Sequence, residues 1–233
     1  MVTFSFGTHR SMQVQDRAGT GKPLLIFGLG ELPEQAHYYF AQHAGRKVEA
    51  FTVDPGYLDA DHKDGLPVLP FDEAQRRFPP ATHDLFVAIG YSQFNRIRKQ
   101  VVERALALGY ALPSFVHESA VVARNVAMGV NCLLREQVTA APFSRLGDGV
   151  IVGPQAVISH HARIECHVWL AAGSVICGSA TIGERCFIGA NATVRDKIIV
   201  RAGCIVGAGA IIMSDCSPDG VYAAPSTPRR VRT

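Results

Sequence analysis

The sequence predicts two folds in one chain: a small Rossmann-like α/β domain with a parallel sheet over residues 22–112, then a parallel β-helix over residues 113–217. Two observations carry this reading. From Val116 to Ile212 a bulky aliphatic returns every six residues in one unbroken register, with Ala140 the only weak member. Upstream of that register, short apolar runs that end in Gly or Asp alternate with helical segments. Residues 1–21 read as a polar tail, and 218–233 as a C-terminal tail.

In the first half, Pro23–Phe27 reads as a buried strand that runs into Gly28-Leu29-Gly30. A helix is expected from about Pro33 to His43, then strands over Lys47–Val53 and Pro67–Pro70. Another helix over Phe71–Phe78, a strand over Asp84–Ile89 and an amphipathic helix over Ser92–Leu108 complete the alternation. In sheets of this kind ligands bind at the carboxyl ends of the strands. Those ends carry Gly28, Leu29 and Gly30, Asp54, and Gly90-Tyr91-Ser92. A glycine turn at a helix N-terminus admits a diphosphate, and a carboxylate after the second strand can hold ribose hydroxyls. The glycine fingerprint is incomplete, with Pro33 at its last position. Size disfavours a dinucleotide dehydrogenase, because about ninety residues hold only half of the usual double unit.

In the second half, a period of six fits neither a helix nor a simple alternating strand. It fits three short strands per eighteen-residue coil, with coils stacked about 4.8 Å apart. A second inward set, small or valine apart from Ile198, follows four residues after each aliphatic. Cys132, Cys186, Cys204 and Cys216 fall in that set and read as packing residues. The residues that precede each aliphatic point outward and sort onto three faces. One of them, Leu133, Ile151, Trp169, Phe187 and Ile205, is a continuous apolar stripe. Such a stripe marks an interface, and a three-sided prism with one adhesive face predicts a homotrimer. The alternative is that the first domain or the C-terminal tail covers it.

Composition removes other classes. With 48% hydrophobic and 18% charged residues the chain can build a core. No apolar run is long enough to span a membrane, and the first residues lack the apolar core of a signal peptide, so a cytoplasmic protein is expected. A net charge of +3, with one basic cluster at Pro228–Arg232, gives no electrostatic case for nucleic acid. The six cysteines include no CxxC pair, which disfavours structural zinc, and no metal is expected.

The segments LLIFGLGELPEQAHYYF (24–40), AFTVDP (50–55), FVAIGYSQFNRIR (86–98), SFVHESAVVA (114–123), 156–196 and GVYAAPSTPRR (220–230) together resemble the bacterial sugar acyltransferases of the sialic-acid O-acetyltransferase type. The resemblance implies that the β-helix is left-handed and built of hexapeptide repeats. It also implies transfer of an acetyl group from acyl-CoA to an amino group or hydroxyl of a nucleotide-linked sugar, in surface polysaccharide (lipopolysaccharide) biosynthesis. The family's catalytic base is matched by His160 in Ile158-Ser159-His160, and imidazole titrates where such a base is needed. His161 follows where family members often have a carboxylate, and is grouped with the base. Acyl-CoA contacts are implied for Trp169, Gly178, Gly189, Ala190, Gly207 and Ala208, and phosphate contacts for Arg229 and Arg230. Two rival classes remain: a trimeric zinc enzyme of the carbonic anhydrase type, using His117, His160, His161 and His167, and a non-catalytic hexapeptide-repeat binding protein.

Overall fold

The computed structural model describes residues 21–225. Most of the expected N-terminal tail, and Arg229 and Arg230, lie outside the described residues.

The first sheet has the order β3-β4-β2-β1-β5. Its parallel strands are β1 (Leu24–Phe27), β2 (Val48–Val53), β4 (Leu66–Pro70) and β5 (Asp84–Val87). All residues of β1 and β5 are buried, as continuous apolar runs covered on both faces require. A two-residue strand that the sequence reading omits, β3 (His62–Lys63), pairs antiparallel with β4. Asp64 and Gly65 close that hairpin with φ of 49° and 75°, the turn that Asp-Gly favours. Helix α1 (Glu31–Tyr38) starts two residues before the expected position, because Pro33 is tolerated in a first turn. It widens into a π turn over Tyr39–His43, which buries the consecutive residues Tyr39 and Phe40. Helix α2 covers Phe71–Arg77. Helix α3 (Arg96–Ala107) starts later than expected: Gln93, Phe94 and Asn95 have positive φ and form a left-handed turn.

The rest is a left-handed parallel β-helix of two-residue strands from β6 (Phe115–Val116) to β22 (Ile211–Ile212), with β23 (Val221–Tyr222) stacked beyond. Residues eighteen apart pair in parallel, as in Leu133–Ile151–Trp169. The six-residue aliphatics and the small set form one core column, including the four cysteines. At most corners the third residue after the aliphatic is left-handed; His161 has φ of 58° and His167 of 60°.

The apolar stripe is not left for a second subunit. The α/β domain lies on it: Leu133 and Ile151 are fully buried with Phe40, Phe86 and Phe115, and Tyr91 packs against Trp169 and Phe187 at 5.4 and 4.8 Å. Tethering in one chain makes this the accessible partner for the stripe. Of the two faces that the domain leaves uncovered, the more apolar carries Val121, Thr139, Val157, Val175, Thr193 and Ile211, with Val121 and Ile211 each 68% exposed, and the other carries Arg145 and Arg163.

Three buried polar residues join the halves, and all bind main-chain atoms. Asn131 accepts from Val87 N at 2.7 Å and donates to Val87 O at 3.0 Å, continuing the ladder of the edge strand β5. Asn95 donates to the carbonyls of Arg185 and Cys186, which explains the left-handed turn that delivers it. Arg98, wholly buried, donates to the carbonyls of Gly149, Ile89, Gly90 and His167. Burial pulls its pKa down to about 9, so it stays charged at neutral pH.

His167, beneath Arg98, is 3% exposed. Burial, then the charge of Arg98, holds its pKa down at about 3 against an ordinary 6.5. As pH falls, the unfolded chain therefore takes up this proton first. Stability is expected to fall between pH 6.5 and 3, by up to about 1.4 kcal/mol per pH unit from this group. Burial raises the pKa of neighbouring Glu165, which acts in the opposite sense. Comparing urea unfolding of the wild type with His167→Asn isolates the histidine; an unchanged acid limb in the variant would refute the assignment. Asparagine suits the left-handed backbone at this corner.

Candidate active site

The carboxyl ends of β1, β2 and β5 open into a cleft of about 550 Å³. It brings together the expected residues Gly28, Leu29, Gly30, Asp54 and Gly90. Gly28 has φ of 127°, and a Cβ there would lie 2.7 Å from Ala88 O and from the Pro33 ring, so the turn itself requires glycine. Around Gly30 and Gly90 a Cβ would meet nothing, and there the missing side chains are open cleft. Asp54 is held by Arg104, whose Nη2 lies 2.7 Å from its carboxylate. The floor of the cleft comes from the β-helix, as Arg135 and Trp169.

Trp169 therefore stands apart from the glycines with which it is grouped above. Among those, Gly189, Ala190, Gly207 and Ala208 lie at the corner between the docked face and the open face. A Cβ on Gly189 would come within 2.5 Å of Ala208 N, so close coil stacking alone demands this glycine.

His160 and His161 form the corner between Val157–Ile158 and Arg163–Ile164, on the edge opposite the docked face. Both are exposed. The His160 ring lies over Gly178 of the next coil: a Cβ there would sit 2.7 Å from Cε1 and 2.8 Å from Nε2. His161 stacks on Phe143 at 4.8 Å, and its Nδ1 is 3.2 Å from Nδ1 of His160. Thus Gly178 joins His160, while the other glycines lie at the next corner; the open apolar face runs between the two. The histidines of the zinc alternative are dispersed over all three corners, with His117 beside His43 and His167 beneath Arg98. No group of three His, Cys, Asp or Glu suited to a metal ion occurs among the described residues.

Sequence reasoning missed Arg135, Tyr39, Glu136 and Arg98. Arg135 left one trace: it occupies the position after the aliphatic, where the repeat often has glycine.

Residues 161–196 match the family model of bacterial transferase hexapeptide (six repeats), and residues 179–214 match that of the hexapeptide repeat of succinyl-transferase. Together the two matches cover residues 161–214 of the β-helix. The similarity extends beyond it. The acetyltransferase domain of PglB from Neisseria gonorrhoeae, solved with acetyl coenzyme A, is 29% identical over 89% of this chain and 99% of its own, with a TM-score of 0.77. PerB from Caulobacter crescentus, solved with CoA and GDP-perosamine, is 28% identical over 88% of this chain and 96% of its own, also at 0.77. UDP-3-O-acylglucosamine N-acyltransferase from Bordetella pertussis is 50% identical over 44 residues, which span 19% of this chain and 12% of that protein. Both solved relatives cover the α/β domain as well as the hexapeptide-repeat domain.

Proposed function

We propose that the chain is an acyl-CoA-dependent acyltransferase that moves an acetyl group onto the amino group of a nucleotide-linked sugar. The observation that carries this reading is the exposed His160 ring seated over Gly178, with no side chain above the Nε2 edge on that coil. The acceptor amine attacks the thioester carbonyl, a C–N bond forms, and the C–S bond breaks to release CoA thiolate. Nε2 of His160 takes the amine proton and returns one to the thiolate. The Nδ1 atoms of His160 and His161 lie 3.2 Å apart, and in the tautomer that this role requires His160 Nδ1 donates, Nε2 is left unprotonated and His161 is the positioning residue. Main-chain N–H groups near Gly178 serve the developing oxyanion.

The cleft would take the nucleotide-linked sugar, with Gly28, Leu29, Gly30, Asp54 and Gly90 on one wall and Trp169 on the floor. Since His160 is on the edge away from the cleft of its own chain, the catalytic unit joins the cleft of one protomer to His160 of another. The open apolar face supports a homotrimer, and a second copy on it would bring the Gly178 and Gly189–Gly207 corners to one groove for acyl-CoA. No helix among the described residues is long and apolar enough to cross a membrane, and none of the six cysteines forms a disulfide. The cytoplasm is the compartment we infer, and surface polysaccharide synthesis the pathway.

Acetyl-CoA incubated with a panel of UDP-, GDP- and dTDP-linked amino sugars tests the reading. Release of free CoA thiol with at least one of them is expected. Absence of turnover across the panel, with folded protein, would overturn it.

A further inference from the structure

The cleft belongs to the α/β domain except for its floor, and among the described residues that line it the floor supplies the one cation. Of the residues that line it, Glu31, Asp54 and Arg135 are charged. Asp54 is paired with Arg104, Glu31 is exposed and Arg98 lies buried beneath Trp169, so the cation that faces the cleft is Arg135, with Glu136 beside it. This arginine stands on the first turn after β9 (Leu133–Leu134), where most coils have a residue with little or no side chain.

Its position is built by several contacts. Nε donates to the Tyr39 hydroxyl at 3.1 Å and lies 3.7 Å from Oε2 of Glu136. Tyr39 donates in turn to Oε1 of Glu136 at 2.5 Å. The Tyr39 ring is buried and stacked on Phe115 at 5.0 Å, fixed there by the π turn. Burial raises the pKa of Tyr39, which keeps the hydroxyl a donor. Only Nε is used in this network, so the two terminal nitrogens of the guanidinium remain for the cleft, into which the side chain projects.

We propose that Arg135 is the diphosphate-recognising residue of the cleft, held by Tyr39 and Glu136, so that the hexapeptide-repeat domain and not the α/β domain reads the charge of the acceptor's nucleotide. A planar guanidinium presents paired donors that match adjacent phosphate oxygens, and a cation in a partly enclosed cleft is weakly screened. The inference rests on the nucleotide-linked sugar reading of the cleft. It adds that preference for a diphosphate over an uncharged nucleoside comes from one side chain.

Calorimetry on the full chain tests this with UDP, GDP and dTDP and their parent nucleosides. The wild type is expected to bind at least one diphosphate more tightly than its nucleoside. Arg135→Ala and Arg135→Gln should each weaken that diphosphate about 10–100-fold and leave the nucleoside and acetyl-CoA affinities unchanged. Tyr39→Phe, which keeps the ring packing, should weaken the diphosphate by a smaller factor. Arg135→Lys should recover part of the loss. If the wild type binds no diphosphate, the nucleotide reading of the cleft falls and the proposal with it. If it binds one and both Arg135 variants retain the diphosphate preference, the proposal alone falls. Unchanged acetyl-CoA affinity excludes general misfolding as the source of any loss.

Discussion

Replacement of His160 by alanine is expected to lower kcat by about 10²–10⁴-fold, the range that a general base supplies. The ring is exposed at a β-helix corner and contributes nothing to the core column, so the fold should persist. Acetyl-CoA affinity should also persist. A second route to the same loss leaves the imidazole in the chain. Gly178→Ala would put a methyl group 2.8 Å from Nε2, so the ring has to rotate away from the position it occupies. Its kcat is expected to fall with His160 still present, and Gly189→Ala is no substitute control, because that site opposes backbone. Steady-state kinetics with the acceptor found in the panel decide the matter. Full activity in His160→Ala removes the imidazole from the chemistry.

Two inactive variants are expected to restore each other when mixed. His160→Ala keeps an intact cleft. Gly30→Trp fills the cleft where nothing meets a Cβ, and keeps His160. Each is expected to be nearly inactive alone. Co-refolded or exchanged at equal amounts, they should recover about a quarter of wild-type activity, the statistical share of cleft–histidine pairs in which both members are intact across a subunit boundary. The argument comes from topology. The docked face carries the cleft, and His160 is on the edge opposite that face. A mixture that stays inactive, although subunits demonstrably exchange, would mean that one chain completes its own site.

The β-helix was legible because its rule is local and repeated. Each coil buries the aliphatic of its strand and the small residue four later, so a register from Val116 to Ile212 states the winding directly. The same register shows that Leu133, Ile151 and Trp169 point outward. It carries no information on what covers them, and that is why the stripe suggested a subunit contact where the α/β domain lies. The strand ends that form the cleft were readable from glycines and Asp54, since each is a local strand-to-helix turn. Arg135 was not, because it enters the cleft from residues about fifty to a hundred positions away in sequence, and only the folded chain brings them together. Arg98 reads in sequence as one more charged residue on an amphipathic helix. That it faces four carbonyls rather than water depends on the docking that it helps to hold.

The seam between the halves has a consequence of its own. Asn131, Asn95 and Arg98 address carbonyls and one amide, never a partner side chain. Backbone atoms are supplied by every amino acid, so the groups gripped at Val87 and Cys186 do not depend on the side chains at those positions. At these three contacts recognition is thus one-sided, whereas Tyr39 on Glu136 and Lys99 on Glu184 join the halves side chain to side chain. What is gripped there is the path of the main chain, so a change of side chain at Val87 or Cys186 that keeps that path leaves the angle between cleft and prism set.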